Sequence, residues 1–183
     1  MPSTIVGIGG GSCSGKSTLA KAVQEALAPA ACQVISTDTY MLGDKGPKIT
    51  LSTGEEWPNM NSPLSTDLPR LLEDLQNSNA EIVLIEGLMA LHFQELLPRY
   101  ALKIFVDTDA PTRAIRRMVR SIQRMPDTEP EWIGRYYLEC AVPGHEAFIE
   151  PSRRNADLIV HGNGDTLRTA NLLSRLISSV RPE

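Results

Sequence analysis

Long apolar runs are missing from this 183-residue chain. None approaches the roughly 20 residues that span a bilayer, and the apolar N-terminal stretch is broken by glycines too early for a secretory leader. Cysteine is scarce. Cys13, Cys32 and Cys140 are odd in number and show no metal-ligand spacing, which excludes a disulfide framework and suits a reducing compartment. The expected location is cytoplasmic. An excess of positive charge is also lacking: 18 basic residues stand against 22 acidic ones, for a net charge of −4. That argues against broad binding to nucleic acid or an anionic membrane. His92, His145 and His161 form no metal or triad pattern. There are no repeats, low-complexity tracts or long linkers. What remains is ordinary: 42% hydrophobic and 22% charged residues, in a length that suits one domain with a sizeable core.

Against that background one segment stands out. Gly10-Gly11-Ser12-Cys13-Ser14-Gly15-Lys16-Ser17 fits G-x-x-x-x-G-K-[ST], the phosphate-binding P-loop. Its flanks agree: Ile5 to Ile8 read as a short strand, and Leu19 to Leu27 carry apolar residues at helical spacing. Glycines let the backbone approach a phosphate closely. The loop N–H groups and the helix N-terminus then form an anion nest. In this arrangement Gly10 through Thr18 bind the nucleotide, Lys16 reaches the β- and γ-phosphates, and the Ser17 hydroxyl ligands Mg²⁺.

Four further apolar strands follow, around Val34–Ser36, Ile82–Ile85, Ile104–Val106 and Leu158–Val160. Helical patterns cover Leu68–Leu75, Thr112–Ile122, Arg135–Ile149 and Leu167–Val180. Short strands, apolar on both faces and alternating with helices, predict an α/β fold: a three-layer α/β/α sandwich on a five-stranded parallel sheet. Two stretches interrupt the alternation. Residues 38–65 follow a strand directly and suit an acceptor-site insertion. Residues 123–135, with Met125-Pro126-Asp127-Thr128-Glu129-Pro130, suit a lid.

Asp38 follows the second strand and suits a base that accepts an alcohol proton during phosphoryl transfer; a turn or cap aspartate fits equally. Glu86 closes the third strand, where P-loop enzymes hold Mg²⁺, and a solvated acid before the Gly87 turn is the plain alternative. Arg113, Arg116, Arg117, Arg120 and Arg124 fall largely on one helical stripe. They suit a phosphate clamp or a solvated face. Tyr40 and Trp57 can stack on a ring or simply pack. Gly162-Asn163-Gly164-Asp165 can touch a nucleotide base or form a turn with Asp165 as N-cap.

Together these segments resemble the uridine kinase family of P-loop kinases. The likeness spans nearly the whole chain. It includes Gly9–Thr18, Ile35-Ser36-Thr37-Asp38-Thr39-Tyr40, Ile85–Leu91, Lys103–Asp109, Arg116-Arg117 and Pro143–Asp157. The resemblance implies ATP and Mg²⁺ as cofactors and a nucleoside acceptor, with a homo-oligomer allowed. It implies Asp38, Lys16, Arg117 and Arg120 as catalytic residues and Ser17 with Glu86 at the metal. His92, Arg124 and Arg135 join Asp38, Tyr40, Asn61 and Glu86 around the acceptor. The chain departs from the family where substrate is chosen. The family's N-x-D-H-P segment is Asn59-Met60-Asn61-Ser62-Pro63 here, so Asn61 replaces the acid that grips the ribose. Arg124-Met125-Pro126-Asp127 replaces an arginine-glycine-arginine lid signature, and Arg135 stands near the position of a base-contacting glutamine. The expected reaction is γ-phosphoryl transfer from ATP to a primary hydroxyl, the 5′-hydroxyl of uridine or cytidine first. The alternatives are nicotinamide riboside or another small metabolite as acceptor, or a non-catalytic nucleotide-binding module. The chain has no Asn-Lys-x-Asp guanine motif and no transport-ATPase signature, which argues against a regulatory switch.

Overall fold

The computed structural model describes residues 4–180. Five parallel strands make the central sheet: β1 (Thr4–Gly10), β2 (Cys32–Ser36), β5 (Ile82–Glu86), β6 (Leu102–Asp107) and β7 (Leu158–His161). Their order is β2-β5-β1-β6-β7. All five fall where the apolar runs place them. β5 is buried at every position, because helices cover both faces of the sheet.

Alternation along each strand sends side chains to two separate cores. Ile35, Val83, Ile85 and Phe105 face one side, with Leu71 and Leu75 of α2 (Leu68–Asn77) and Ile149. Val6, Ile8, Leu84, Ile104 and Val106 face the other. There they meet Leu19 and Val23 of α1 (Lys16–Ala26) and Leu173 and Ile177 of a C-terminal helix, Thr166–Ser179. This is the expected three-layer sandwich. Connections from β1 and β5 leave toward opposite edges of the sheet, so the carboxyl end of β1 is a switch point where ligands bind.

The two stretches that interrupt the alternation carry secondary structure of their own. Within residues 38–65, β3 (Lys48–Thr50) and β4 (Glu56–Pro58) form an antiparallel hairpin. Three-residue strands carry too little period to be read from sequence. The lid region is also mostly helical. α3 runs Ala110–Arg124, a short turn covers 125–129, and α4 starts at Pro130 (Pro130–Tyr136). Proline there opens the helix at its first turn rather than breaking it. Helical backbone then continues to Ser152 through two π-helical stretches, Tyr137–Ala141 and His145–Ile149.

Candidate active site

The P-loop turns at the carboxyl end of β1. Gly15 has φ 99°, in the left-handed region that favours glycine, and Cys13 has φ 62°. α1 begins at Lys16 with no side-chain cap, so its first N–H groups are left for a ligand. Ser14 Oγ is buried and has no partner among the described residues. Lys16 is buried, with Nζ donating to the Gly11 carbonyl at 3.4 Å. Burial pushes its pKa down, while Glu86 and Asp38 pull it back up. A buried ammonium beside an orphaned hydroxyl and free helix donors is a site short of negative charge.

Neighbouring strands bring the acids to this charge. Ser36 of β2 pairs with Glu86 of β5, so the two strand ends are level. Glu86 is 4% exposed and accepts from Ser17 Oγ at 3.0 Å. Asp38 is exposed on the 3₁₀ turn Thr37–Tyr40 that follows β2. Gly87, at φ 154°, lies so close to Thr37 that a Cβ would collide with the Thr37 hydroxyl. The turns bearing Glu86 and Asp38 are thus packed against each other.

α3 carries the arginine stripe. Its apolar residues Ile115 and Val119 are exposed, while Arg113, Arg117 and Arg120 are half-buried against the site. Arg120 Nη2 donates to Ser12 Oγ at 3.1 Å. Arg113 Nε donates to the Thr108 carbonyl at 2.9 Å, and its Nη2 lies 3.2 Å from His145 Nε2. Arg116 and Arg120 join Cys13, Lys16, Ser17 and Thr18 around a cavity of about 410 Å³ that Gly162 and Thr166 close. Arg117 faces a second cavity of about 250 Å³, lined chiefly by Trp57, Met60, Met125, Trp132 and Tyr136.

A family model described as "Phosphoribulokinase / Uridine kinase family" matches residues 58–168. A uridine kinase of Chlamydia pneumoniae is 34% identical over 204 aligned positions, covering 96% of this chain and 89% of the relative. One from Deinococcus deserti is 32% identical and covers 94% of each chain. The chain belongs to the phosphoribulokinase/uridine kinase family. Solved structures agree on the fold. A putative fructose transport system kinase from Silicibacter sp. TM1040 matches 87% of this chain and 90% of its own, with TM-score 0.70 and 17% identity. Shikimate kinase from Acinetobacter baumannii matches 100% and 97%, with TM-score 0.58 and 14% identity.

Each acceptor-site candidate of this family member has its own surroundings in the fold. Tyr40 is buried in the core, and its hydroxyl donates to Asp74 at 2.8 Å. Burial and that bond raise its pKa to about 12. His92 sits edge-on to Phe93 and Phe148, with ring centroids 6.0 and 5.6 Å away. Arg124 is exposed in the last turn of α3. Arg135 bonds Ser52 Oγ at 3.0 Å and Glu131 at 2.8 Å. Asn61 is 2% exposed; its amide nitrogen donates to Cys140 Sγ at 3.4 Å, and Asn61 presses on Gly144. It lines a small third cavity of about 80 Å³ with Ser12, Arg113 and His145.

Sequence reasoning missed Trp132 and Tyr136. Their i, i+4 spacing was the available signal, hidden by the lid assignment. Trp132 stacks on Tyr136 at 5.5 Å and meets Trp57 at 4.4 Å. It also missed the clasp behind them. Glu139 accepts from the Ser52 backbone N–H at 2.7 Å and from the Ser52 hydroxyl at 2.6 Å, tying the hairpin tip to the helix after α4.

Proposed function

We propose that this chain is an ATP-dependent kinase that moves the γ-phosphoryl group to a primary hydroxyl of a nucleoside, the 5′-hydroxyl of uridine or cytidine first. The observation that carries it is the Ser17–Glu86 pair beside buried Lys16, with Asp38 on the adjoining strand end. When bound, Mg·ATP supplies the phosphoryl group and a divalent charge. The donor set fits it: Ser17 and Glu86 offer two neighbouring oxygens, as Mg²⁺ sites that keep several waters require. Among the described residues no cluster of three or more His, Cys, Asp or Glu forms a protein-only metal cage.

In this reading Lys16, Arg116 and Arg120 neutralise the phosphates in the larger cavity. Arg117 stands one turn before Arg120 and lines the second cavity. Asp38 accepts the proton of the attacking hydroxyl and aligns it. We read the chain as one kinase domain, with 38–65 as the acceptor insertion and the 125–129 turn and its flanking helix ends as the lid. ADP release from Mg·ATP should rise on adding uridine or cytidine. Asp38→Asn should cut that rate by about 10²–10⁴-fold, the usual worth of general base catalysis, and leave ATP affinity within twofold. An unchanged rate removes Asp38 from the mechanism. ATP binding with no stimulation by uridine, cytidine, nicotinamide riboside, pantothenate or simple sugars would favour a module that no longer transfers phosphate.

A further inference from the structure

The second cavity has an unusual wall. Trp57 comes from the hairpin, and Trp132 and Tyr136 come from α4. Met60 and Met125 add two soft, adaptable thioethers. Among the described residues lining it, Arg117 alone carries charge, and no carboxylate is present. Polar groups are few. The Ser121 hydroxyl is there, and Trp132 Nε1 is buried with no partner among the described residues. At about 250 Å³ the space falls just below the ~300–1,000 Å³ of typical ligand pockets. It has room for a flat ring, since a cavity of ~150 Å³ already holds benzene.

We propose that this slot holds the ring of the phosphate acceptor, with Trp57 and Trp132 as its specificity-determining residues, and that it accepts a flat neutral ring and rejects a cationic one. The proposal rests on the kinase reading for the ring's belonging to a phosphate acceptor. Three lines of observation support it. Aromatic faces attract any flat π system, and such stacking is worth ~1–3 kcal/mol per base in other nucleotide binders, so the rings select flatness. Aromatic faces also attract cations, by about 0.5–2 kcal/mol, but Arg117 already brings one cation to this wall. Its guanidinium lies over Tyr137 at 5.9 Å, outside the slot, and burial presses on its charged form. With no carboxylate in the wall to balance Arg117, a second cation there meets repulsion. Finally, α3 carries the wall of the slot to within one helical turn of the wall of the P-loop cavity. Arg117 and Arg120 are three residues apart on α3, and Arg120 reaches Ser12 of the P-loop.

The chain itself offers a reporter. Its two tryptophans are Trp57 and Trp132, and both line the slot. Uridine, nicotinamide riboside and ribose share a sugar and differ at the ring, which is neutral, cationic or absent. Each is titrated against intrinsic fluorescence, with and without Mg·ADP, alongside acceptor-dependent ADP release. Uridine should quench saturably. Nicotinamide riboside and ribose should bind at least tenfold more weakly, and the reduced, neutral form of nicotinamide riboside should recover most of the loss in KM. Trp132→Leu should raise the uridine KM at least tenfold with the ATP KM within twofold, and Trp132→Phe should restore most of it. Nicotinamide riboside binding as tightly as uridine overturns the proposal, as does an unchanged KM in Trp132→Leu; the kinase reading survives both. Quenching by uridine with no ADP release keeps the ring slot and overturns the kinase reading. No quenching by any ring compound overturns the slot, whatever the ADP assay gives.

Discussion

His145 carries a single-residue device behind the P-loop. Its Nε2 lies 3.2 Å from Arg113 and 3.4 Å from Glu150. Burial and Arg113 lower its pKa from 6.5, and outweigh the opposing pull of Glu150 and Glu146. The folded protein therefore holds a neutral imidazole, which accepts from Arg113. Arg113 in turn packs over Gly11, where a Cβ would strike its guanidinium. The unfolded chain binds a proton near pH 6.5 and the folded one only below that. Stability is full above 6.5 and falls as pH drops through the lowered folded value. His145→Gln should flatten this acid limb in melting curves taken between about pH 7 and 5. An acid limb identical to that of the parent would show that His145 titrates without consequence. Asn61 is the residue whose identity was readable and whose behaviour was not. The replacement of a carboxylate was plain in the sequence, but the turning of its amide to Cys140 depends on a helix eighty residues away.

The clasp between hairpin and helix is an element-scale feature. Three-residue strands have little stability of their own, since a lone hairpin is marginal in water. Ser52 and Glu139 supply the missing anchor, and hydrogen bonds from Ser52 hold the Glu139 pKa down. Glu139→Ala should speed amide exchange across residues 48–58 severalfold while leaving the midpoint of global melting within about 2 °C, as for surface changes away from the core. Unchanged exchange would mean that the remaining contacts, Arg135–Ser52 and Trp57–Trp132 among them, hold the hairpin without it. Elements were legible in the sequence where period and length were both sufficient. The five sheet strands and the helices at Leu68 and Thr112 appear within a few residues of their expected ends. The hairpin and the start of α4 were not legible. Lys48–Thr50 and Glu56–Pro58 are too short to show alternation, and Pro126 and Pro130 bracket a turn that resembles a longer loop. The P-loop and the acid at the end of β5 were readable because each is one local segment. The aromatic slot joins residues 57 and 132, whose meeting is tertiary.

On the scale of the whole molecule, α3 is a partition. One side of its arginine row borders the P-loop cavity and the other the aromatic slot. The two cavities thus share a wall that neither core buries, since no residue of α3 is fully buried. Ligand-linked stability follows by mass action. Mg·ATP at about 100 times its Kd should add ~2.7 kcal/mol, or roughly 5–10 °C in melting midpoint for a chain of this size. Asp38→Asn should show the same shift and Lys16→Ala should lose most of it. A parent protein that melts at the same temperature with and without Mg·ATP would remove the P-loop cavity as a nucleotide site. The buried Lys16 has one more consequence, and it is a matter of proton inventory. Without nucleotide, its ammonium is held below its ordinary pKa of 10.5 by burial. Phosphates arriving beside it restore the charged form. On the alkaline side nucleotide binding is then also proton uptake, and affinity weakens as pH rises toward 10.5. Calorimetric heats of binding measured there should scale with the ionisation enthalpy of the buffer, and heats independent of the buffer would show that Lys16 keeps its proton throughout.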